Sequence, residues 1–158
     1  MITDQDRHHL TRCVELATEA LNEGDAPFGS LLVHEGKVLL EARNRIQTRD
    51  DATQHPEFEI ARWAAAHLTP EQRAQAVVYT SGEHCPMCAA AHGWVGLGRI
   101  VYASSTGQLV QWLDELGAPE SPLHLLPITE VLKDARVEGP VEGLDAQVRA
   151  LHARRHRG

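Results

Sequence analysis

Apolar positions follow a helical spacing at the start of the chain and a strand-like pattern directly afterwards. Over residues 4–22 an apolar residue recurs every three or four positions, which predicts an amphipathic helix that ends before Gly24. Two β-prone runs follow, at 28–36 and 37–44, with a turn-forming Glu-Gly pair between them. This arrangement predicts a β-hairpin.

The rest of the chain alternates helical and strand-like segments. Short apolar runs at 76–81 and 99–104 predict strands, and residues 123–128 predict a last strand. Alternation of helices and strands after a hairpin predicts an α/β fold with three layers, α/β/α, around a mixed five-stranded sheet. The predicted helices of this part of the chain span 55–68, a short segment from residue 69, 85–95, 106–117, 128–135 and 144–155.

Length and composition are those of an ordinary globular protein. The chain has 158 residues, of which 42% are hydrophobic and 23% are charged. No linker, repeat or low-complexity tract divides it, so we expect one domain over residues 1–158. No apolar run approaches the roughly 18 residues of a membrane span, and the first residues lack a secretory signal. We therefore expect a soluble, cytoplasmic protein.

The charge balance argues against nucleic acid as a partner. The formal net charge is −7, whereas non-specific binding of nucleic acid depends on Lys and Arg meeting phosphates. Four arginines do cluster near the C-terminus, but cations at the end of a helix also complement its dipole, which is the simpler interpretation. These arginines are Arg149, Arg154, Arg155 and Arg157.

Two short motifs carry the chemistry. His55-Pro56-Glu57 and the pair Cys85 and Cys88 each stand at the start of a predicted helix, the second directly after a strand. One His and two Cys supply the three protein ligands of a catalytic zinc site, which keeps its fourth position for water. A second Cys-x-x-Cys, which a closed structural site would need, is absent from the sequence. The third cysteine, Cys13, lies among apolar helical positions and is predicted to be buried.

Glu57 is the candidate proton carrier. Two thiolates and a neutral imidazole leave a zinc site almost uncharged, so the metal acidifies its water less than at a three-histidine site. A carboxylate two residues from a ligand is well placed to take the proton from water and to return it to the substrate. The two motifs together therefore predict a hydrolytic site in which Glu57 works beside zinc.

The chain resembles the cytidine deaminase superfamily, whose signature is H-x-E followed by P-C-x-x-C with the glutamate not a ligand. Within the superfamily it is most similar to the guanine deaminase and nucleobase deaminase branch. The resemblance spans roughly residues 10–105 and fades beyond them. The segments that carry it are Ala26-Pro27-Phe28-Gly29, Asn44, DDATQHPE, YTSGEHCPMC and Trp94 followed by RIVYA.

The resemblance implies roles for individual residues. His55, Cys85 and Cys88 would bind Zn²⁺, and Glu57 would shuttle protons. Asn44 would hydrogen-bond the base; the alternative is a turn residue that ends the second hairpin strand. Phe28 and Trp94 would line the pocket, although aromatic residues more often pack in a core. A second acid that reads the base would be Asp114 or Glu115. Relatives are usually homodimers in which the C-terminus contributes across the interface.

Two positions depart from the superfamily pattern. His84 stands where the signature has a proline, and Pro56 stands where the middle residue is commonly Ala. Proline has no N–H, so any hydrogen bond that this backbone position donates to a substrate in relatives is missing here. We expect substrate choice to differ accordingly. Neighbouring polar residues are assigned supporting roles: Glu83 steadies the metal loop, His84 and His92 are not ligands, and His8 and His9 lie on the solvated helix surface.

The leading functional hypothesis is hydrolytic deamination of a free nucleobase or a close analogue. Guanine is the first candidate, and isoguanine, cytosine and amino-triazines are further options. A tRNA adenosine deaminase (an editing enzyme) uses the same metal chemistry but fits the negative charge poorly. The third hypothesis is a non-catalytic binding module stabilised by zinc. Glu57 argues against it, because such a module has no use for an unliganded carboxylate beside the metal.

Overall fold

A computed structural model describes residues 1–157 and contains one mixed sheet of five strands in the order β2-β1-β3-β4-β5. The β1 strand pairs antiparallel with both β2 and β3, whereas β3–β4 and β4–β5 are parallel. This confirms the predicted α/β class and the mixed five-stranded sheet. The strands are β1 (Gly29–His34), β2 (Lys37–Arg43), β3 (Val77–Gly82), β4 (Ile100–Ser104) and β5 (Val137–Glu138).

Eight helices surround the sheet within residues 1–157. They are α1 (Asp4–Asn22), α2 (Ile46–Arg49), α3 (Pro56–His67), α4 (Pro70–Gln75), α5 (Pro86–Val95), α6 (Thr106–Glu115), α7 (Ile128–Val131) and α8 (Leu144–Arg157). The first helix has the predicted bounds, because Thr3 and Asp6 form a capping box at its start. None of the helices described is both long and apolar enough to span a membrane.

Alternating side chains of the sheet bury two separate apolar layers, as a three-layer fold requires. Leu31 and Val33 of β1 belong to the core that contains α1, α8 and Trp112 of α6. Leu32, between them, belongs to the opposite core with Ile60 of α3. Cys13 lies in the first core with no exposed surface, as predicted.

The fifth strand is not where the sequence pattern places it. Residues 123–128, predicted as a strand, are irregular up to the start of α7, and Leu123 and Leu126 are 49% and 44% exposed. Pro122 precedes the segment and Pro127 lies within it, and proline cannot donate to a sheet ladder. The true edge strand, β5, has only two residues and pairs with β4 through Ile100 and Val137. A run this short carries no periodic signal.

Two further expectations are wrong in detail. The helix predicted over 128–135 ends at Val131, after about one turn. His9, predicted as solvated, is only 4% exposed, and its ring centroid lies 4.8 Å from that of Tyr79. His8, its neighbour, is exposed as expected. The one-residue difference decides which side chain of α1 faces the sheet.

Candidate metal centre and active site

Two helices begin at one place beside the sheet and present the predicted metal ligands there. His55 is the N-cap of α3 and Cys85 is the N-cap of α5, while Cys88 lies in the first turn of α5. Both helices have proline as their first residue, at Pro56 and Pro86, where the missing N–H costs no helical hydrogen bond. The parallel β3–β4 pair holds α5 in position because β3 runs almost directly into it.

The three donor atoms have the spacing of a tetrahedral zinc site. His55 Nδ1 lies 3.6 Å from Cys85 Sγ and 3.5 Å from Cys88 Sγ, and the two sulfurs are 3.5 Å apart. Zn–S bonds of about 2.3 Å and a Zn–N bond of about 2.0 Å place tetrahedral sulfurs roughly 3.8 Å apart, and sulfur and nitrogen roughly 3.5 Å apart. The side chains therefore fit zinc without rearrangement. This is the one cluster of three such ligands within residues 1–157.

The two thiols differ in how readily they ionise. Contact with Cys88, followed by contact with His55, lowers the pKa of Cys85 to about 4. The same contact with Cys85, together with burial, raises the pKa of Cys88 above its usual range. One thiolate is thus ready at neutral pH, and binding of a divalent metal would release the second proton.

Glu57 is buried in the first turn of α3, beside the metal ligands. The hydroxyls of Ser30 and Thr80 lie 3.1 and 2.9 Å from its Oε1 atom. Burial is the largest influence on this carboxyl and raises its pKa. Both hydroxyls contact the same oxygen of the carboxylate. The arrangement fixes the orientation of the carboxylate beside the metal ligands.

Sequence reasoning missed Ser30 and Thr80. They are direct cross-strand partners on β1 and β3, and both are completely buried. The signal was present: each is a hydroxyl residue in a mostly apolar strand, at the alternation that also contains Leu32 or Val78 of the core beside α3. A buried polar residue in such a strand needs a partner, and here that partner is Glu57.

A cavity of about 150 Å³ adjoins the metal ligands. Phe28 and Asn44 line it, where the resemblance places them. The Asn44 side chain is 1% exposed, and its Oδ1 accepts a hydrogen bond from the Ile46 N–H at 3.0 Å. Its amide group is therefore fixed in orientation. The remaining lining residues are Ile46, His55, Pro56, Glu57, Glu83, Cys85, Thr106, Leu109 and Leu125.

Three residues suggested as substrate contacts lie elsewhere. Trp94 is 90% exposed near the end of α5 and does not line the cavity. Asp114 and Glu115 are exposed at the end of α6 and are also absent from its lining, and Glu115 pairs with Arg149 at 3.0 Å. The amphipathic pattern of α6 turns these acids to solvent because its apolar side faces the core through Trp112. None of the three lines this cavity in the described part of the chain.

The polar neighbours of the cysteine pair have supporting positions. His84 and His92 are 1% and 3% exposed, their ring centroids are 5.4 Å apart, and neither belongs to the ligand cluster. His92 Nε2 is 2.8 Å from the Gly98 carbonyl oxygen. Glu83 accepts hydrogen bonds from two backbone amides beyond the metal loop, those of Thr106 and Ile128.

Comparison with known proteins places this site in a family. The family model described as "Cytidine and deoxycytidylate deaminase zinc-binding region" matches residues 3–104, which is most of the chain and includes the whole ligand cluster. The chain belongs to this deaminase family. Zinc is accordingly its metal, in agreement with the donor set and its tetrahedral spacing.

Relatives within the deaminase family act on different substrates. The chain is 38% identical to Bacillus subtilis guanine deaminase over 96 residues, which is 60% of this chain and 62% of that protein. It is 35% identical to an Agrobacterium fabrum tRNA-specific adenosine deaminase over 97 residues, 61% of this chain and 64% of that protein. A solved structure of guanine deaminase from Bacillus subtilis superposes with a TM-score of 0.60 at 28% identity and covers 81% of this chain and 86% of that one. The two curated relatives are each matched over less than two thirds of their own length.

Proposed function

We propose that this protein deaminates a free nucleobase, with guanine as the first candidate, by hydrolysis at a zinc centre. The observation that carries the proposal is the placement of the buried Glu57 carboxylate beside the three ligand atoms, in a cavity just large enough for a small ring. The 38% identity to Bacillus subtilis guanine deaminase supports the choice of base. Isoguanine, cytosine and amino-triazines remain further options.

The size and lining of the cavity favour a small, planar substrate. Its volume of about 150 Å³ is below the roughly 300–1,000 Å³ of pockets for drug-sized ligands. Phe28, Leu109 and Leu125 supply apolar walls, and the amide of Asn44 supplies a fixed polar contact. An aromatic heterocycle with a hydrogen-bonding edge matches this combination.

Within the proposed reaction Glu57 moves two protons. Zinc, when bound, supplies the Lewis acidity that makes water nucleophilic at neutral pH. The Glu57 carboxylate accepts a proton from the attacking water and delivers it to the ring nitrogen next to the amino-bearing carbon. It then transfers the second proton of that water to the amino group. The C–N bond breaks, ammonia leaves, and a ring carbonyl remains, so atoms and charge balance.

Pro56 removes one means of recognising the substrate. It is the first residue of α3 and lines the cavity, so the helix start offers no N–H at this position. Pro86 begins α5 in the same manner. The first-position amides of both helices are thus unavailable, and recognition depends more heavily on Asn44.

Editing of tRNA adenosine is the second candidate function, favoured by the 35% identity to an Agrobacterium fabrum enzyme. Arg154, Arg155 and Arg157 line an open groove between α8 and the end of α1, where a phosphate backbone could bind. The net charge of −7 opposes this candidate, as does the small cavity. Binding of tRNA that weakens steeply with salt would support it.

Ammonia release separates these candidates. The panel contains guanine, isoguanine, cytosine, adenine, amino-triazines, the matching nucleosides and a tRNA, each incubated with zinc-loaded protein. Release from a free base supports the proposal and names the base. Release from tRNA alone supports editing, and a zinc-loaded protein that releases ammonia from no member of the panel supports the binding-module hypothesis. Homodimer formation and a cytoplasmic location remain predictions beside this proposal.

A further inference from the structure

One loop completes the wall of the cavity on the side of α6. Residues 116–127, called here the 116–127 loop, join α6 to α7. From 119 to 127 every residue is exposed except Leu125, which lines the cavity beside the metal ligands. The flanking leucines at 123 and 126 are 49% and 44% exposed. Leu125 is therefore the one side chain of this loop that lines the small cavity.

Leu125 also borders a second, larger space. An open cleft of about 440 Å³ lies on the other side of the wall and shares Leu125, Thr106 and Glu83 with the smaller cavity. The remaining cleft residues include the hydroxyl side chains Tyr102 and Ser105. Thr106 is buried in α6 and Glu83 is bound to backbone amides, so Leu125 supplies the apolar side chain of this partition.

Glu83 fixes the two ends of the wall. Its Oε1 accepts a hydrogen bond from the Thr106 N–H at 2.9 Å, and its Oε2 accepts one from the Ile128 N–H at 2.7 Å. These amides begin α6 and α7, the two helices that the 116–127 loop connects. One carboxylate therefore links the start of α6 to the start of α7, on either side of the 116–127 loop. The hydrogen bonds that residues 119–127 themselves make within the described chain are local.

We infer that Leu125 is a specificity-determining residue that limits the site to free bases by separating the 150 Å³ cavity from the neighbouring cleft. The inference rests on the proposed function. A ribose adds nearly as many non-hydrogen atoms as the base contains, and the small cavity lacks room for both. The cleft has that room and offers hydroxyl groups to a sugar. Glu83 is the positioning residue that holds the partition in place.

The test compares guanine with guanosine in three zinc-loaded proteins: wild type, Leu125→Ala and Leu126→Ala. Leu126→Ala is the matched control, because it makes the same truncation in the same loop at an exposed leucine that borders neither space. Truncation at Leu125 is expected to raise the guanosine-to-guanine ratio of kcat/KM at least about tenfold, within the range for single apolar contacts in a pocket. The control is expected to keep the wild-type ratio.

Binding supplies a readout that does not depend on turnover. Guanosine affinity is measured by calorimetry in a Glu57→Gln background, with and without Leu125→Ala, and is expected to increase on truncation. If wild type deaminates guanine but both the ratio and the affinity stay unchanged in Leu125→Ala, the inference is wrong while the proposed function stands. Wild type that uses guanosine as well as guanine also overturns the inference. Wild type inactive on every free base contradicts the proposed function itself.

Discussion

The hydroxyl of Ser30 is predicted to contribute to turnover and not only to stability. Ser30→Ala removes a buried donor 3.1 Å from Glu57 Oε1 and 2.8 Å from the Thr80 hydroxyl. A hydrogen bond to a charged group contributes about 1.5–3 kcal/mol, which corresponds to roughly ten- to hundredfold in rate if it is needed in the transition state. Thr80 still holds the carboxylate, so we expect the lower end, about a tenfold fall in kcat.

Ser81→Ala is the matched control for this substitution. Ser81 is equally buried on β3, but its hydroxyl accepts a hydrogen bond from the Gly29 N–H at 3.1 Å and does not contact Glu57. Both variants are expected to lose a similar amount of stability, about 1–3 kcal/mol, in thermal unfolding. Only Ser30→Ala is expected to lose kcat at unchanged zinc content. Equal losses of kcat in the two variants, or full activity in Ser30→Ala, would refute the assigned role.

Two further predictions concern stability. Asp6 is paired with Arg99, which keeps the pKa of its carboxyl well below the usual 3.8. The pair therefore stabilises the fold fully above about pH 3.8, and this stabilisation is lost as the pH falls through the lowered pKa of Asp6. Asp6→Asn should lower the free energy of unfolding by about 2 kcal/mol at pH 7. This is less than the roughly 3–5 kcal/mol of a fully buried pair, because Arg99 is 22% exposed. Chemical unfolding at several pH values should also show a flatter loss of stability in acid. Gly29→Ala places a Cβ 2.5 Å from the Cys13 carbonyl oxygen and should destabilise by about 1–3 kcal/mol. Gly107→Ala is the contrast: Gly107 is an exposed position of α6 where the nearest atom to the new Cβ is 3.9 Å away, so the substitution should stabilise by up to about 1 kcal/mol. An acid limb unchanged in Asp6→Asn, or equal unfolding midpoints for the two glycine variants, would contradict these arguments.

Much of the fold follows from local signals in the sequence. The bounds of α1 and the β1–β2 hairpin are as predicted, because the capping box of the helix and the turn of the hairpin depend on residues close together in sequence. The position of β5 could not be predicted, because two residues carry no period and the strand exists only through its pairing with β4. The α2 turn was missed for the same reason: its backbone amides bind the distant Asp25 carboxylate.

In the candidate site, too, the parts set by local sequence could be predicted and those set by distant contacts could not. The ligand cluster is readable from the sequence, because its residues lie at the starts of two helices that the fold necessarily brings together. The cavity wall is not readable, because Leu125 comes from an irregular loop whose placement depends on Glu83. Trp94 illustrates the converse: an aromatic residue near the motif is not a pocket wall unless its helix turns it inward, and α5 turns it to solvent.

The most direct test of the central claim is steady-state ammonia release from guanine by wild type and Glu57→Gln, each at a measured zinc content. Since Glu57 is not one of the three ligand residues, both proteins are expected to hold one zinc ion per chain. Wild type is expected to release ammonia and Glu57→Gln to lose at least the roughly 10²–10⁴-fold of a general acid–base group. Comparable rates in the two zinc-loaded proteins would contradict the account.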